Sequence, residues 1–332
     1  MRESAQHQMI IRCHSRIHVT LLDTLGASLY IPGGIGFSLS EPSTEIEFSG
    51  EGSKHDFGSL DSRAVRDVRQ LLSRLEAISI SRPYRVICRK LPPANRGFGS
   101  KTALLSAIAF GYRAFHHLEF DDDQTQLLTG RGGTSGIGFH SFRHGGLIWD
   151  GGRPNDGNPI KPSSTTYPTR PPLLLSRWDA PDYGVLLVMP RVQHLTHDEE
   201  IAFIAKNRSI EPHELGQLNS YVFGGFVPAF LTRDIERLRD SLAGINRTAF
   251  KRREVGIYGE VVSTIMAEID RLFGMPCGMS SLGPLLFCLY QPSEIDIETT
   301  LHKIRQIDGV GHVSVSYISN RGYSIEALDE PV

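Results

Sequence analysis

The stretch Pro92-Pro93-Ala94-Asn95-Arg96-Gly97-Phe98-Gly99-Ser100-Lys101-Thr102 combines residue types that can grip an anion. Glycines admit close backbone approach, a helix starting here would offer unpaired N–H groups, and Ser100, Lys101 and Thr102 add hydroxyls and an ammonium. The spacing is neither that of a P-loop nor that of a Rossmann fingerprint, and an ordinary glycine loop capping a helix is the competing reading. Further along, Gly130-Arg131-Gly132-Gly133-Thr134-Ser135-Gly136-Ile137-Gly138 repeats the combination with a guanidinium. Two such loops suit a ligand with two separated anionic groups, such as a sugar carrying a phosphate at one end and a diphosphate at the other. A third cluster, Pro32-Gly33-Gly34-Ile35-Gly36-Phe37, follows a segment bearing Arg16, His18 and Asp23, whose side chains could line the mouth of a site or form a structural network. A fourth, Gly278-Met279-Ser280-Ser281-Leu282-Gly283-Pro284, offers hydroxyls that could face a carboxylate, or is simply a tight turn.

Elements able to position these loops follow from apolar periodicity. Ile11 to Leu22 alternates as a half-buried strand does, and Ile46–Phe48, Tyr84–Cys88, Gly146–Trp149, Tyr183–Met189, Leu285–Tyr290 and His312–Ile318 are further strand candidates. Helical spacing covers Ser62 to Ala77, Ala103 to Tyr112, Leu215–Phe230, Ile235–Leu242, Val261–Phe273 and Glu298–Gln306, and Thr196 with Glu199 has capping-box spacing. Gly151 to Pro172, rich in Pro, Gly, Ser and Thr, reads as an inter-lobe connection or mobile loop, which divides the chain into residues 1–165 and 166–332. The first glycine loop thus joins a strand to a helix. The order of elements indicates an α+β protein.

Composition narrows the function. The chain has 332 residues, 40% hydrophobic and 22% charged, enough for two core-bearing lobes. A formal net charge of -2 provides no global field for nucleic acid or an anionic membrane, so an anionic ligand needs a local pocket. Four scattered cysteines fit buried, reduced thiols. The polar start, Met1 to Gln8, lacks the apolar core of a signal peptide and no apolar run approaches the ~20 residues of a membrane span, so a cytoplasmic location is expected. His140 and His144 lack a third ligand for zinc, Asp121–Asp123 could hold a metal but better suits a helix start, and Arg247, Lys251, Arg252 and Arg253 could reach a substrate carboxylate or phosphate but more commonly form a solvated basic face.

Arg16-Ile-His18 leading to Gly33-Gly34-Ile-Gly36, then Gly97-Phe-Gly99-Ser100-Lys101-Thr102, Gly132-Gly133-Thr134-Ser135-Gly136-Ile-Gly138 with His144-Gly145-Gly146, and Gly278-Met-Ser280-Ser281-Leu-Gly283-Pro284 together resemble the β-ribofuranosylaminobenzene 5'-phosphate synthase family. That family is a branch of the GHMP superfamily and is similar to the C-glycoside synthases of C-nucleoside antibiotics of the formycin and pyrazofurin type. The resemblance implies a two-lobed GHMP fold and a homodimer. It also implies a reaction joining phosphoribosyl diphosphate (PRPP) to an aromatic or heteroaromatic carboxylic acid, with loss of CO2 and diphosphate, as in C-nucleoside or methanopterin-type biosynthesis. An ATP-dependent GHMP small-molecule kinase is the alternative. Against it, Ser100-Lys101-Thr102 stands where such kinases usually carry Ser-Ser-Ala, and Gly132 to Phe142 contains no carboxylate to act as base.

Departure of diphosphate leaves an oxocarbenium-like carbon, so positive donors matter more than a base, and CO2 leaves the ring where a proton otherwise would. On this reading Gly97, Gly99, Ser100, Lys101 and Thr102 hold one anionic end of the sugar, while Arg131, Gly132, Gly133, Thr134, Ser135 and Gly136 hold the other. Arg16 and His18 serve the acceptor, with Ser280 and Ser281 as donors to its carboxylate; Arg16, His18 and Lys101 are the candidate catalytic residues. Mg2+ on the diphosphate is the expected cofactor, with Asp23 and Asp150 as candidate ligands of the metal or of ribose hydroxyls.

Overall fold

The computed structural model describes residues 8–50, 52, 54–79, 82–162, 165 and 167–328. Strand β1 (Gln8–Leu21) shows the expected alternation, with Met9, Ile11 and Cys13 buried and Gln8, Ile10, Arg12 and His14 around them half-buried. After the short β2 (Tyr30–Ile31), β3 (Gly34–Ser49) runs antiparallel to β1 over its whole length. Only Ile46–Phe48 of this long strand was expected, because Pro42 and the glycines interrupt its pattern. The strand continues by skipping register: His14 faces Ser43 and Ser15 faces Leu39, which leaves Pro42 in the bulge where its missing N–H costs no ladder bond.

Helix α1 (Ser62–Glu76) starts at Asp61, whose side chain accepts from the Arg63 and Ala64 amides, and buries Val68, Leu71, Leu72 and Leu75. β4 (Arg85–Lys90) pairs with β3, and the first glycine loop leads into α2 (Ser100–Phe115), a helix buried along most of its length. The acidic run becomes the capped start of α3 (Asp122–Thr129), and the second glycine loop leads into α4 (Ile137–His144). β5 (Leu147–Asp150), β6 (Arg153–Pro154) and β7 (Leu174–Trp178) follow. In the segment Gly151 to Pro172, positions 163, 164 and 166 lie outside the described residues. Its described part folds back on the second glycine loop, where the Thr134 hydroxyl donates to the Lys161 carbonyl, and its ends meet where the Gly151 amide donates to Leu173 O at 2.7 Å.

The later half comprises β8 (Gly184–Pro190), α5 (His197–Asn207), α6 (Pro212–Tyr221), a π-helical turn at Val222–Phe226, and α7 (Val227–Thr232). α8 (Ile235–Arg247), α9 (Ala249–Gly256) and α10 (Gly259–Phe273) precede β9 (Gly278–Met279), β10 (Leu286–Tyr290), α11 (Ile297–Arg305), β11 (Val310–Tyr317) and β12 (Ser324–Leu328). Thr196 and Glu199 form the expected capping box at the start of α5. The continuous helix expected over Leu215–Phe230 is divided by the π turn, where Gly225 lies so close to α8 that a Cβ there would meet Ser241 Oγ at 2.4 Å. Among the described residues no helix is long and apolar enough to cross a membrane.

The fold is α+β. One sheet runs β12-β1-β3-β5-β7 with β4 paired to β3; a second runs β11-β8-β10-β9. The first sheet therefore takes β7 and β12 from beyond residue 165. β1 serves two cores: Met9, Ile11 and Cys13 pack with α1 and α2, whereas Ile17 and Val19 pack with Val185, Leu187 and Phe287 of the second sheet and with α6 to α8. This shared core clamps the two sheets together, and the glycine loops gather at their junction.

Helix α2 approaches β3 closely at Gly111, where an added Cβ would sit 2.3 Å from the Phe48 ring. Gly111→Ala should lower stability by about 1–3 kcal/mol, the usual penalty for overpacking a core. Urea denaturation followed by circular dichroism measures it.

Candidate active site

Arg16 and His18, two residues apart on β1, lie on one side of the strand. The first glycine loop crosses this strand, with Arg16 N donating to Phe98 O at 3.0 Å and Arg16 Nη1 to Gly97 O at 2.6 Å. Gly97 and Gly99 have φ of 102° and 73°, and both positions are crowded: a Cβ would stand 2.9 Å from Ser280 O at Gly97 and 3.0 Å from the Arg16 side chain at Gly99. Here glycine is required by conformation and by space together. The loop ends at the N-terminus of α2, where amides are available for an anion.

Ser280 joins this loop to the fourth glycine cluster. Its hydroxyl donates to Gly97 O at 2.7 Å and accepts from His18 N at 3.1 Å and Arg16 Nη1 at 3.3 Å, while the Ser281 amide donates to His18 O at 3.0 Å. Ser280 is fully buried, so it holds the site together from behind, whereas Ser281 lines the cavity.

The second glycine loop approaches from the other side. Gly138 on α4 packs against Thr102 on α2, and Arg131 Nε donates to Thr102 Oγ1 at 3.2 Å. Asp150, at the end of β5, is fully buried and accepts from the Gly136 and Gly152 amides at 2.5 and 2.9 Å. Burial pushes its carboxyl up to about 6, against the pull of those amides. Asp23 likewise accepts from the Gly26, Ala27 and Ser28 amides. Both aspartates organise loops, and neither lines the cavity. Gly132, Gly133 and Gly136 also stand behind the lining and shape the turn that carries Arg131, Thr134 and Ser135.

Together these pieces enclose a cavity of about 460 Å³ into which Arg16, His18, Gly97, Gly99, Ser100, Lys101 and Thr102 converge with Arg131, Thr134, Ser135 and Ser281. Asn95 and Ser281, both in left-handed backbone at φ of 55° and 56°, lie on its rim. The cavity also contains residues with no sequence signal: Arg63, Asp67, Glu200 and Glu254. Lys101 Nζ is 2.6 Å from Asp67 Oδ2, so the loop ammonium is already paired with α1. Lys251, expected on a solvated basic face, is instead buried, with Nζ 2.8 Å from Glu254 Oε2 and donating to Met279 O at 2.7 Å. The sequence showed four basic residues in seven; it did not show that α9 turns this one inward.

Burial shapes the charges. It brings the Arg16 guanidinium down to about 10, with Arg131 adding repulsion, and lowers Arg131 against the support of Asp67 and Glu200. His18 is held well below its usual value by burial and by the charges of Arg16 and Lys251, so its imidazole is neutral at physiological pH. Its Nε2 is buried without a hydrogen-bond partner. Among the described residues no three His, Cys, Asp or Glu side chains gather closely enough to hold a metal ion. His140 and His144 do stack on α4, ring centres 6.2 Å apart, without further ligands.

Comparison with known proteins places this geometry in context. No family model matches the chain. It is 27% identical over 325 residues to the β-ribofuranosylphenol 5'-phosphate synthase of Methanothermobacter thermautotrophicus, covering 95% of this chain and 98% of the relative. It is 28% identical over 318 residues to the protein of the same name from Archaeoglobus fulgidus, covering 95% and 99%. Among solved structures, homoserine kinase from Cytophaga hutchinsonii superposes with a TM-score of 0.67 at 16% identity, covering 98% of this chain and 99% of that one. Mevalonate diphosphate decarboxylase from Staphylococcus aureus superposes with a TM-score of 0.63 at 14% identity, covering 97% and 98%. At such identities the likeness to solved structures concerns the fold alone, which is that of the GHMP proteins. By sequence the chain is similar along nearly its whole length to the β-ribofuranosylphenol 5'-phosphate synthases, and its fold is the GHMP fold.

Proposed function

We propose that this protein is a C-glycoside synthase, a decarboxylating phosphoribosyltransferase that joins the anomeric carbon of PRPP to a ring carbon of an aromatic or heteroaromatic carboxylic acid, releasing CO2 and diphosphate. The observation that carries the reading is the convergence of both glycine loops and Arg16 on one cavity. Its size suits a sugar phosphate with a small ring beside it. The relatives' name, which couples ribose phosphate to a phenol, supports the same pairing of substrates.

The residues divide the work by chemistry. Arg16, Arg131 and the start of α2 supply positive donors to the anionic ends of the sugar, and such preorganised donors act most strongly where charge develops as diphosphate leaves. Lys101, balanced by Asp67, offers a hydrogen-bond donor with less net charge. Leu21 with Phe250, and Leu104 with Leu105, give the cavity apolar lining for an aryl ring. His18 is neutral and serves as a hydrogen-bonding group toward the acceptor, beside Ser281. Magnesium carried by the diphosphate would add positive charge. Asp23 and Asp150 spend their oxygens on backbone amides away from the cavity, so of the cavity carboxylates Glu200, and Asp67 on release from Lys101, would be the ones to hold such an ion. A homodimer belongs to the same reading.

The test is incubation with PRPP, Mg2+ and 4-hydroxybenzoate, 4-aminobenzoate or a pyrazole dicarboxylate, with diphosphate, CO2 and product mass followed together. Equal release of diphosphate and CO2 with a C-ribosyl product is expected. ATP turnover on a small alcohol with no such release would favour a kinase instead.

Arg16→Ala and Arg131→Ala should each lower kcat/KM for PRPP by about 10²–10³, the range for removing one preorganised donor to a developing anion. Steady-state kinetics checks this. Because burial, with the charges of Arg16 and Lys251, holds the His18 imidazole well below its usual range, it stays deprotonated as pH falls from 8 to 6. The pH profiles of wild type and His18→Asn should therefore run parallel over that window. A limb near pH 6.5 that His18→Asn abolishes would contradict the assignment.

A further inference from the structure

The end of the cavity lined by α9 differs from the glycine loops. Glu254 and Phe250, one helical turn apart on α9, both line it, and Phe250 packs with Leu21. A carboxylate, with a side chain only 5% exposed, is thus set into the apolar wall. Its partner Lys251 stands behind the wall, 1% exposed, and is fixed from β9 by the Met279 carbonyl. Lys251 Nζ stands 2.8 Å from Glu254 Oε2, the oxygen shut away from solvent, so the second oxygen, Oε1, keeps its accepting capacity. A purely structural ion pair gains nothing by placing its acid on the wall of a ligand cavity, whereas a ligand bearing a hydroxyl on an apolar ring matches that placement. Burial also raises the affinity of Glu254 for a proton.

We infer that Glu254, positioned by Lys251, accepts first the hydrogen bond and then the proton of a ring hydroxyl on the acceptor, and so selects hydroxyaryl acids. This rests on the C-ribosylation reading above. As the ring carbon bonds to the anomeric carbon, the bond from that carbon to diphosphate breaks and the O–H proton passes to Glu254. The oxygen's electron pair then feeds the ring. Loss of CO2 returns the pair of the carboxyl bond to the ring, the ring oxygen retakes the proton, and Glu254 is again a carboxylate. No oxidant or reductant is consumed.

The experiment compares binding of 4-hydroxybenzoate and its methyl ether, 4-methoxybenzoate, by calorimetry with ribose 5-phosphate and diphosphate present. Wild type should prefer the hydroxyl compound about tenfold or more, as a hydrogen bond to a charged acceptor implies. The double variant Lys251→Met/Glu254→Met, which leaves neither charge unpaired, should lose that preference while retaining its melting temperature and ribose 5-phosphate affinity. If the double variant does not fold, Glu254→Gln carries the test: it keeps an acceptor oxygen but takes no proton, so kcat with 4-hydroxybenzoate should fall about 100-fold with little change in KM. Equal binding of the two compounds by wild type, a preference that survives in the double variant, or an unchanged kcat in Glu254→Gln would overturn the inference. A hydroxyl preference that depends on Glu254, in an enzyme that releases neither CO2 nor diphosphate, would remove the C-ribosylation reading and leave the recognition role of Glu254 standing.

Discussion

A single buried hydroxyl connects the parts of this site. Ser280 donates to the carbonyl of Gly97 and accepts from Arg16 and from the His18 amide, so strand β1, the first glycine loop and the turn before β10 meet at one oxygen. Satisfying three groups at once leaves little freedom for any of them. The Arg16 guanidinium, laid across Gly99, is consequently oriented before a ligand arrives, and the cost of ordering a long side chain falls on folding instead of on binding.

The electrostatics follow from that rigidity. The cavity combines Arg16, Arg63, Lys101 and Arg131 with Asp61, Asp67, Glu200 and Glu254, so it is polarised rather than uniformly basic. Arg16 and Arg131 repel one another across it, and each is partly desolvated. An anion between them would relieve the repulsion, which is why clustered guanidinium groups in a near-neutral protein point to a ligand rather than to surface charge. Burial, reinforced by the charges of Arg16 and Lys251, keeps His18 neutral.

Local patterns made much of the fold legible. Alternation gave β1 except for its first residues, the Val68, Leu71, Leu72 and Leu75 stripe gave α1, and Thr196 with Glu199 marked the start of α5. Glycine density identified the loops that converge on the cavity, because positions such as Gly97 and Gly99 allow no other residue. What stayed hidden depended on contacts between distant segments. Pro42 masked the continuity of β3, since nothing local reveals a bulge set by the partner strand. Asp67 lies on the amphipathic α1 and Glu254 on α9, a short helix with little apolar patterning, and their meeting with the cavity is a product of helix packing. Lys251 sits among three arginines, and only the register of α9 distinguishes it.

Pairing of β12 with β1, from Gln8 opposite Leu328 to Arg12 opposite Ser324, has a consequence for biosynthesis. A nascent chain that has emerged only as far as β7 can assemble β1, β3, β4 and β5 but leaves the outer edge of β1 unpaired, with its backbone groups open to other strands. That edge closes only when the ribosome has delivered β12, so β1 waits for a strand translated long after it.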